Sequence, residues 1–376
     1  MQTFTQHSFF PRGTCCDEMK TSLANVFCSR RTFLSAASLG LGTLAASAIG
    51  CALPAFGEPR VAVRSAKPRR VDVHYHIGPS GWISTVASRN LLYPAWRTWS
   101  PAKAIEDMDR DGVDLAITSI TLPGVWYGDP DEARRLAREC NDFAAKLRSD
   151  YPARFGMFGV LPLPDIDGSL AEIGYVLDTL RADGVGLFTS YGDKWLGDPV
   201  FEPVFAELNR RKVLIYTHPT VADCCRNLTP GVHPMVVEYG TDTSRAIAEI
   251  IFGGTAKRYP DMRIIFSHAG GTLPFLVERL VVQARAPELT SNLPTGGPLA
   301  ALRNFYYDTA QAAMAPPMAA LRQVAPLSHI LFGTDYPYRT AAEQITELRQ
   351  TGIFTAKELQ QVERDNVLSL LPHHVG

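Results

Sequence analysis

Residues 70–76 read Arg70-Val71-Asp72-Val73-His74-Tyr75-His76, and the fold follows from how this stretch is read. Its valines favour a strand over Val71–Tyr75, and side-chain alternation along a strand sends His74 and His76 to one side. Seven further short apolar runs recur along the chain: Leu115–Thr121, Gly156–Leu161, Gly184–Phe188, Val213–Thr217, Arg263–Ser267, Asn304–Asp308 and Ile330–Gly333. Several are apolar throughout, as expected of strands covered on both faces. Longer amphipathic stretches lie between them and carry helix-start signals. Ser100-Pro101 opens Ala102–Arg110, Asp129-Pro130 opens Glu132–Arg148, and Asp165 opens a segment reaching about Arg181. Asp198-Pro199 opens a helix to Arg211, and Thr243 or Ser244 opens one ending near Tyr259. No Gly-x-Gly-x-x-Gly turn follows the first strand, which argues against an open doubly wound sheet. Eight strand–helix units over about 300 residues give an α/β fold, a (β/α)8 TIM barrel with extended βα-loops.

The 376-residue chain is 46% hydrophobic and 20% charged, with a formal net charge of −1. That balance provides no overall electrostatic attraction to nucleic acid or to an anionic membrane. The N-terminus is unlike the rest. Ser29-Arg30-Arg31-Thr32-Phe33-Leu34 precedes an uncharged stretch from Ser35 to Phe56, which resembles a twin-arginine export signal. Ser, Thr, Gly and Pro54 within it make a poor permanent membrane span. The chain therefore divides into a signal region (1–57), a linker (58–69) and a barrel (70–376), with the Tat machinery as partner and the periplasm as destination. Two fates of the leader stay open: a lipid anchor on Cys51, or cleavage near Gly50 or Ala55 that discards it. Cys140, Cys224 and Cys225 are too few for a disulfide framework.

The chemistry-bearing residues fall at the strand ends. His74 and His76 end the first strand, His218 ends the fifth and His268 the sixth. Asp335 follows the eighth. Such positions form the catalytic mouth of a barrel, and imidazoles with one carboxylate suit Zn²⁺ or Mn²⁺ with room for water or substrate. Any one of these histidines alone is more readily a structural residue. Five groups at equivalent ends are not, because buried and unpaired they would be costly. His329, at the amino end of strand eight, and His233, His373 and His374 are set aside.

The His74-x-His76, Thr217-His218-Pro219, Ser267-His268-Ala269-Gly270-Gly271 and Gly333-Thr334-Asp335-Tyr336-Pro337 motifs resemble the amidohydrolase-related family over residues 70–372. They resemble in particular its aminocarboxymuconate-semialdehyde decarboxylase branch. Stretches 123–129, 191–199 and 201–205 are similar to 6-methylsalicylate decarboxylases. The resemblance implies His74, His76, His218 and Asp335 as metal ligands, with His268 as acid/base and Asp335 sharing the catalysis. It implies Arg97 and Arg285 as groups for a substrate carboxylate, Arg285 reaching a partner subunit of a homodimer. Trp82, Trp126, Trp195 and Tyr336 are candidate walls of the substrate pocket. A His-x-His rather than Glu-x-His start leans to zinc over manganese. Strand four offers no lysine for a second metal, so the site is mononuclear.

Two reactions remain open: non-oxidative decarboxylation of an aromatic or unsaturated carboxylic acid, and metal-dependent hydrolysis of an ester, lactone or amide. The third reading, a non-catalytic binding protein on a barrel, expects degraded ligand positions, and all are intact.

Overall fold

The computed structural model describes residues 69–374. The signal region, most of the linker and Cys51 lie outside the described residues. Eight parallel strands run in sequence order: β1 (Val71–His76), β2 (Leu115–Ser119), β3 (Phe155–Val160), β4 (Gly184–Phe188), β5 (Leu214–His218), β6 (Arg263–Phe266), β7 (Tyr306–Asp308) and β8 (Ile330–Leu331). The ring closes through backbone bonds from Val73 to Phe332 O (3.0 Å), His76 to Tyr336 O (2.9 Å) and Asp335 to His74 O (2.9 Å). An extended sheet edge is thereby removed.

The core has two layers. Val71, Val73, Ile117, Phe158, Leu214, Tyr216, Ile265 and Leu331 fill the barrel, and Val367, Leu368, Leu370 and Leu371 plug its amino-terminal end. A larger apolar layer lies between the strands and the surrounding helices. β1 departs from simple alternation. Its register shifts between Asp72 and Tyr75. Val71 and Val73 belong to the interior cluster, whereas Tyr75 packs in the outer layer against Tyr336. The irregularity changes the phase of the strand, so apolar filling and the two histidines share one lumen. His74 sits 5.3 Å from Tyr216, ring to ring.

Most helix starts match the expectation. Ser100 accepts from Lys103 N, Asp129 from Asp131 N and Glu132 N, and Asp165 from Gly168 N. The helix expected to open at Thr243 or Ser244 instead spans Glu238–Phe252. The two hydroxyls bond back to Tyr239 O (3.1 Å) and Gly240 O (2.8 Å) within the helix rather than capping it. The extended loops are real. β4 is followed by a small ribbon, Ser190–Tyr191 with Lys194–Trp195, and β5 by a long loop over 219–237.

Candidate metal centre

The strand ends bring His74, His76, His218 and Asp335 together, each offering a ligand atom within 4.8 Å of the others, all four buried. Asp335 Oδ1 stands 3.1 Å from Nε2 of both His74 and His76 and 3.9 Å from His218 Nε2. The two strand-one Nε2 atoms are only 3.2 Å apart.

Which ring nitrogens carry protons follows from their partners. His218 Nδ1 faces Pro219 O at 2.8 Å, an oxygen that can only accept, so Nδ1–H donates and Nε2 presents a lone pair. His74 Nδ1 faces the Asp308 carboxylate at 2.9 Å, so Nδ1–H donates there too. His76 Nδ1 has Ser119 Oγ at 3.0 Å. Three imidazole Nε2 atoms and a carboxylate oxygen thus converge on one point, with Nδ1 of His74 and His218 fixed as donors. The donor set fits a divalent metal ion.

Burial supports this by lowering His76 to about 3 and also lowering His218, which keeps both imidazoles neutral. His74 differs. Burial pushes it down, but the Asp308 and Asp335 carboxylates outweigh burial and hold it at about 10. Two carboxylates flanking one imidazole call for positive charge between them, which a proton or a divalent ion at the site would supply. Burial would raise Asp335, yet the His74 charge and the surrounding imidazole bonds hold it well below the usual carboxylate range.

The second Asp335 oxygen looks the other way. Oδ2 lies 3.3 Å from His268 Nε2 and accepts from Gln311 Nε2 at 3.0 Å. One carboxylate therefore joins the ligand cluster to a proton-carrying pair at the cavity floor. Holding it there costs backbone freedom: His268 (φ 54°), Gln311 (φ 54°) and Asp335 (φ 68°) are left-handed without being glycine. Each carries about 1–2 kcal/mol of strain, and such residues gather at functional sites. Gly333 has a matching reason, since a Cβ there would fall 2.8 Å from His74 Cβ.

Above this floor opens a cavity of about 390 Å³, walled by Tyr93, Leu122, Met235, Val236, Tyr239 and Tyr338, with Asp335, His268 and Gln311 at its base. The amidohydrolase family pattern matches residues 71–371. The chain belongs to the amidohydrolase family. Among curated relatives, decarboxylase yanB of Aspergillus niger is 34% identical over 322 residues, covering 81% of this chain and 87% of that protein. The 6-methylsalicylic acid decarboxylase of Penicillium expansum is 34% identical, covering 82% and 97%. Among solved structures, 5-carboxyvanillate decarboxylase from Sphingomonas paucimobilis superposes with a TM-score of 0.72 at 22% identity, over 81% of this chain and 99% of that one.

This amidohydrolase does not use the expected aromatic or basic residues to wall its cavity. Trp195 donates to Asp242 Oδ1 at 2.6 Å and locks the ribbon to the helix Glu238–Phe252. Trp82 is fully buried and donates to Gly124 O, while Tyr336 stacks on Tyr75 and donates to Asp107. Trp126 lines a separate, smaller hollow. Packing and hydrogen bonds claim Trp82, Trp195 and Tyr336, the commonest use of such side chains. Arg97 and Arg285 are exposed, and among the described residues no Arg or Lys lines the cavity.

Sequence reading passed over Asp308. Its Oδ2 faces His74 Nδ1, and its Oδ1 accepts from the backbone N–H of His268 (2.9 Å) and Ala310 (3.0 Å). The signal was present, because Asp308 ends β7 just as His218 ends β5. Tyr93, His233, Tyr239 and Tyr338 were also missed. They come from loops and a helix start, where no periodicity marks them, and Tyr93 Oη meets His233 Nε2 at 3.0 Å.

Proposed function

We propose that this chain decarboxylates a monocyclic aromatic acid bearing a hydroxyl beside the carboxylate, a 6-methylsalicylate-like substrate. The chain is a metal-dependent carboxy-lyase of the amidohydrolase superfamily. The observation that carries the reading is the divided Asp335 carboxylate, one oxygen among the metal ligands and the other on His268, beneath a cavity walled in part by Tyr93, Tyr239 and Tyr338.

His74, His76, His218 and Asp335 would hold the ion, which would supply Lewis-acid chemistry when bound. Tyr93, Tyr239 and Tyr338 confine the ring. The Asp335 Oδ2–His268 Nε2 pair delivers a proton to the ring carbon bearing the carboxylate. That carbon gains a C–H bond, the C–C bond breaks, its electron pair restores the aromatic ring, and CO2 leaves. Solvent reprotonates the pair. The hydrolase reading is weaker here, since the relatives that span most of the chain are named decarboxylases.

Zinc is the proposed ion, because three imidazole nitrogens suit it well. A Polaromonas dihydroxybenzoic acid decarboxylase of similar fold contains manganese. Purified protein loaded separately with Zn²⁺ and Mn²⁺ is expected to release CO2 from 6-methylsalicylate, and to lose that activity reversibly on chelation. Turnover of lactones without CO2 from any hydroxybenzoate or carboxymuconate would remove the proposal.

The enzyme works as a homodimer in this reading. The helix Leu273–Gln283, just before Arg285, presents Phe275 (68% exposed) and Val282 (53%), a face suited to a second copy. The export reading is likewise proposed: a folded, metal-loaded barrel crosses by the Tat route to the periplasm. Changing Arg30 and Arg31 to Lys should leave the enzyme in the cytoplasm, measured by fractionation. Normal delivery of that variant would refute the route.

A further inference from the structure

We propose a second, structural site for a divalent transition metal at the opposite end of the barrel, formed by Asp183, His373 and His374. Asp183 immediately precedes β4, at the amino-terminal end of the strands and away from the ligand set at their carboxyl ends. His373 and His374 sit in the short turn Pro372–His374 that follows the helix Asn366–Leu370, whose apolar residues plug the barrel floor.

Three observations converge there. Nε2 of His373 lies 2.5 Å and Nε2 of His374 lies 2.7 Å from the same oxygen, Asp183 Oδ1. All three ligand atoms fall within 4.8 Å of one another. The other carboxylate oxygen is taken by Met157 N–H at 2.7 Å, which fixes the carboxylate so that Oδ1 points at the tail. The side chain of Asp183 is completely buried. Burial pushes this carboxyl up, but the two imidazoles outweigh it, and it stays ionised well below its ordinary range. The floor is also shaped for the cluster. A Cβ on Gly156 would come 2.6 Å from Asp183 Oδ2 and 3.2 Å from His374 Nε2, so only glycine leaves them room.

Two imidazoles and a carboxylate form a site for Zn²⁺-like ions and not for Mg²⁺ or Ca²⁺, which prefer oxygen. Without metal, two Nε2–H groups share one acceptor. An ion would take both Nε2 positions and a carboxylate oxygen at about 2.0–2.2 Å, each Nε2 proton moving to Nδ1 or leaving to solvent, with water completing its shell. His373, 58% exposed, is free to turn and open the required space. The cations around it have other partners: Arg148 bonds Leu180 O and Arg181 O, Arg211 is paired with Asp178 and Glu207, Arg263 bonds Lys212 O, and Lys212 lies 3.9 Å from Asp261. Asp183 is left to the tail. The ion would staple the C-terminal turn over the plugged floor, and because it binds only where the three groups meet, it would stabilise the folded chain.

The test compares the full-length mature enzyme with a H373Q/H374Q variant and with Asp183→Asn, each equilibrated with Zn²⁺ and freed of excess. Wild type is expected to hold one more equivalent per chain than either variant, by elemental analysis. Added Zn²⁺ should raise its Tm by several degrees while leaving that of H373Q/H374Q unmoved, with decarboxylation unchanged in that variant. Cobalt substitution should give visible bands that lose one component in it. Equal stoichiometry in wild type and H373Q/H374Q would overturn the site. Retention of the extra equivalent by Asp183→Asn would reduce it to tail histidines alone and overturn the three-ligand proposal.

Discussion

Replacing Asp335 by Asn is expected to lower kcat for CO2 release by about 10²–10⁴-fold, the range general acid–base groups command. The amide keeps the size of the carboxylate but not its charge or its four-sided accepting capacity. Oδ1 now faces Nε2 of His74 and His76 at 3.1 Å, and Oδ2 faces His268 and Gln311. If the Asn oxygen turns to the histidine cluster, its NH2 meets the Gln311 amide and can no longer relay a proton with His268. If it turns the other way, the NH2 intrudes among the ligand nitrogens. Either orientation breaks one half of the device. Steady-state kinetics at saturating metal separates the two roles: weakened metal binding is rescued by excess ion, and a lost proton relay is not. Activity within threefold of wild type at saturating metal would show that the carboxylate takes no part in the chemistry.

The barrel and the ligand set could be read from the sequence because both depend on where strands end. The eight apolar runs set the ladder; His218 is the last residue of its strand, and His268 and Asp335 follow theirs by two and four residues. The pairing of His74 with His76 was also legible. The slip between Asp72 and Tyr75 was not, since a bulge is set by the neighbouring ladder and leaves no local signature. Strand lengths were overestimated for a related reason: β7 covers only Tyr306–Asp308 and β8 only Ile330–Leu331. Apolar residues continue beyond the last ladder bond, and composition does not reveal where pairing stops. The cavity wall was the least legible part. Tyr93, Met235 and Tyr338 come from segments far apart in sequence, and their meeting is a property of the closed ring alone.

Asp308→Asn is expected to have the second large effect, through a proton that Asp308 holds in place and never transfers. Asp308 accepts on both oxygens, Oδ2 from His74 Nδ1–H and Oδ1 from two backbone N–H groups. Asn at this position must place its NH2 against a donor on one side or the other. Facing His74, it forces the imidazole to shift its proton to Nε2, where a hydrogen then occupies the ligand direction. Facing His268 N and Ala310 N, it pushes on the backbone that carries the left-handed His268. Partners that orient metal-ligating histidines are worth roughly 10–100-fold in metal affinity or activity, so Asp308→Asn should weaken metal binding by that factor. The fold should survive, because the side chain keeps its volume. Titrating metal-free protein with Zn²⁺ reads the affinity directly, and circular dichroism reads the fold. An unchanged binding constant would mean that His74 holds its tautomer without the carboxylate, and the lone-pair argument for the whole centre would lose its anchor.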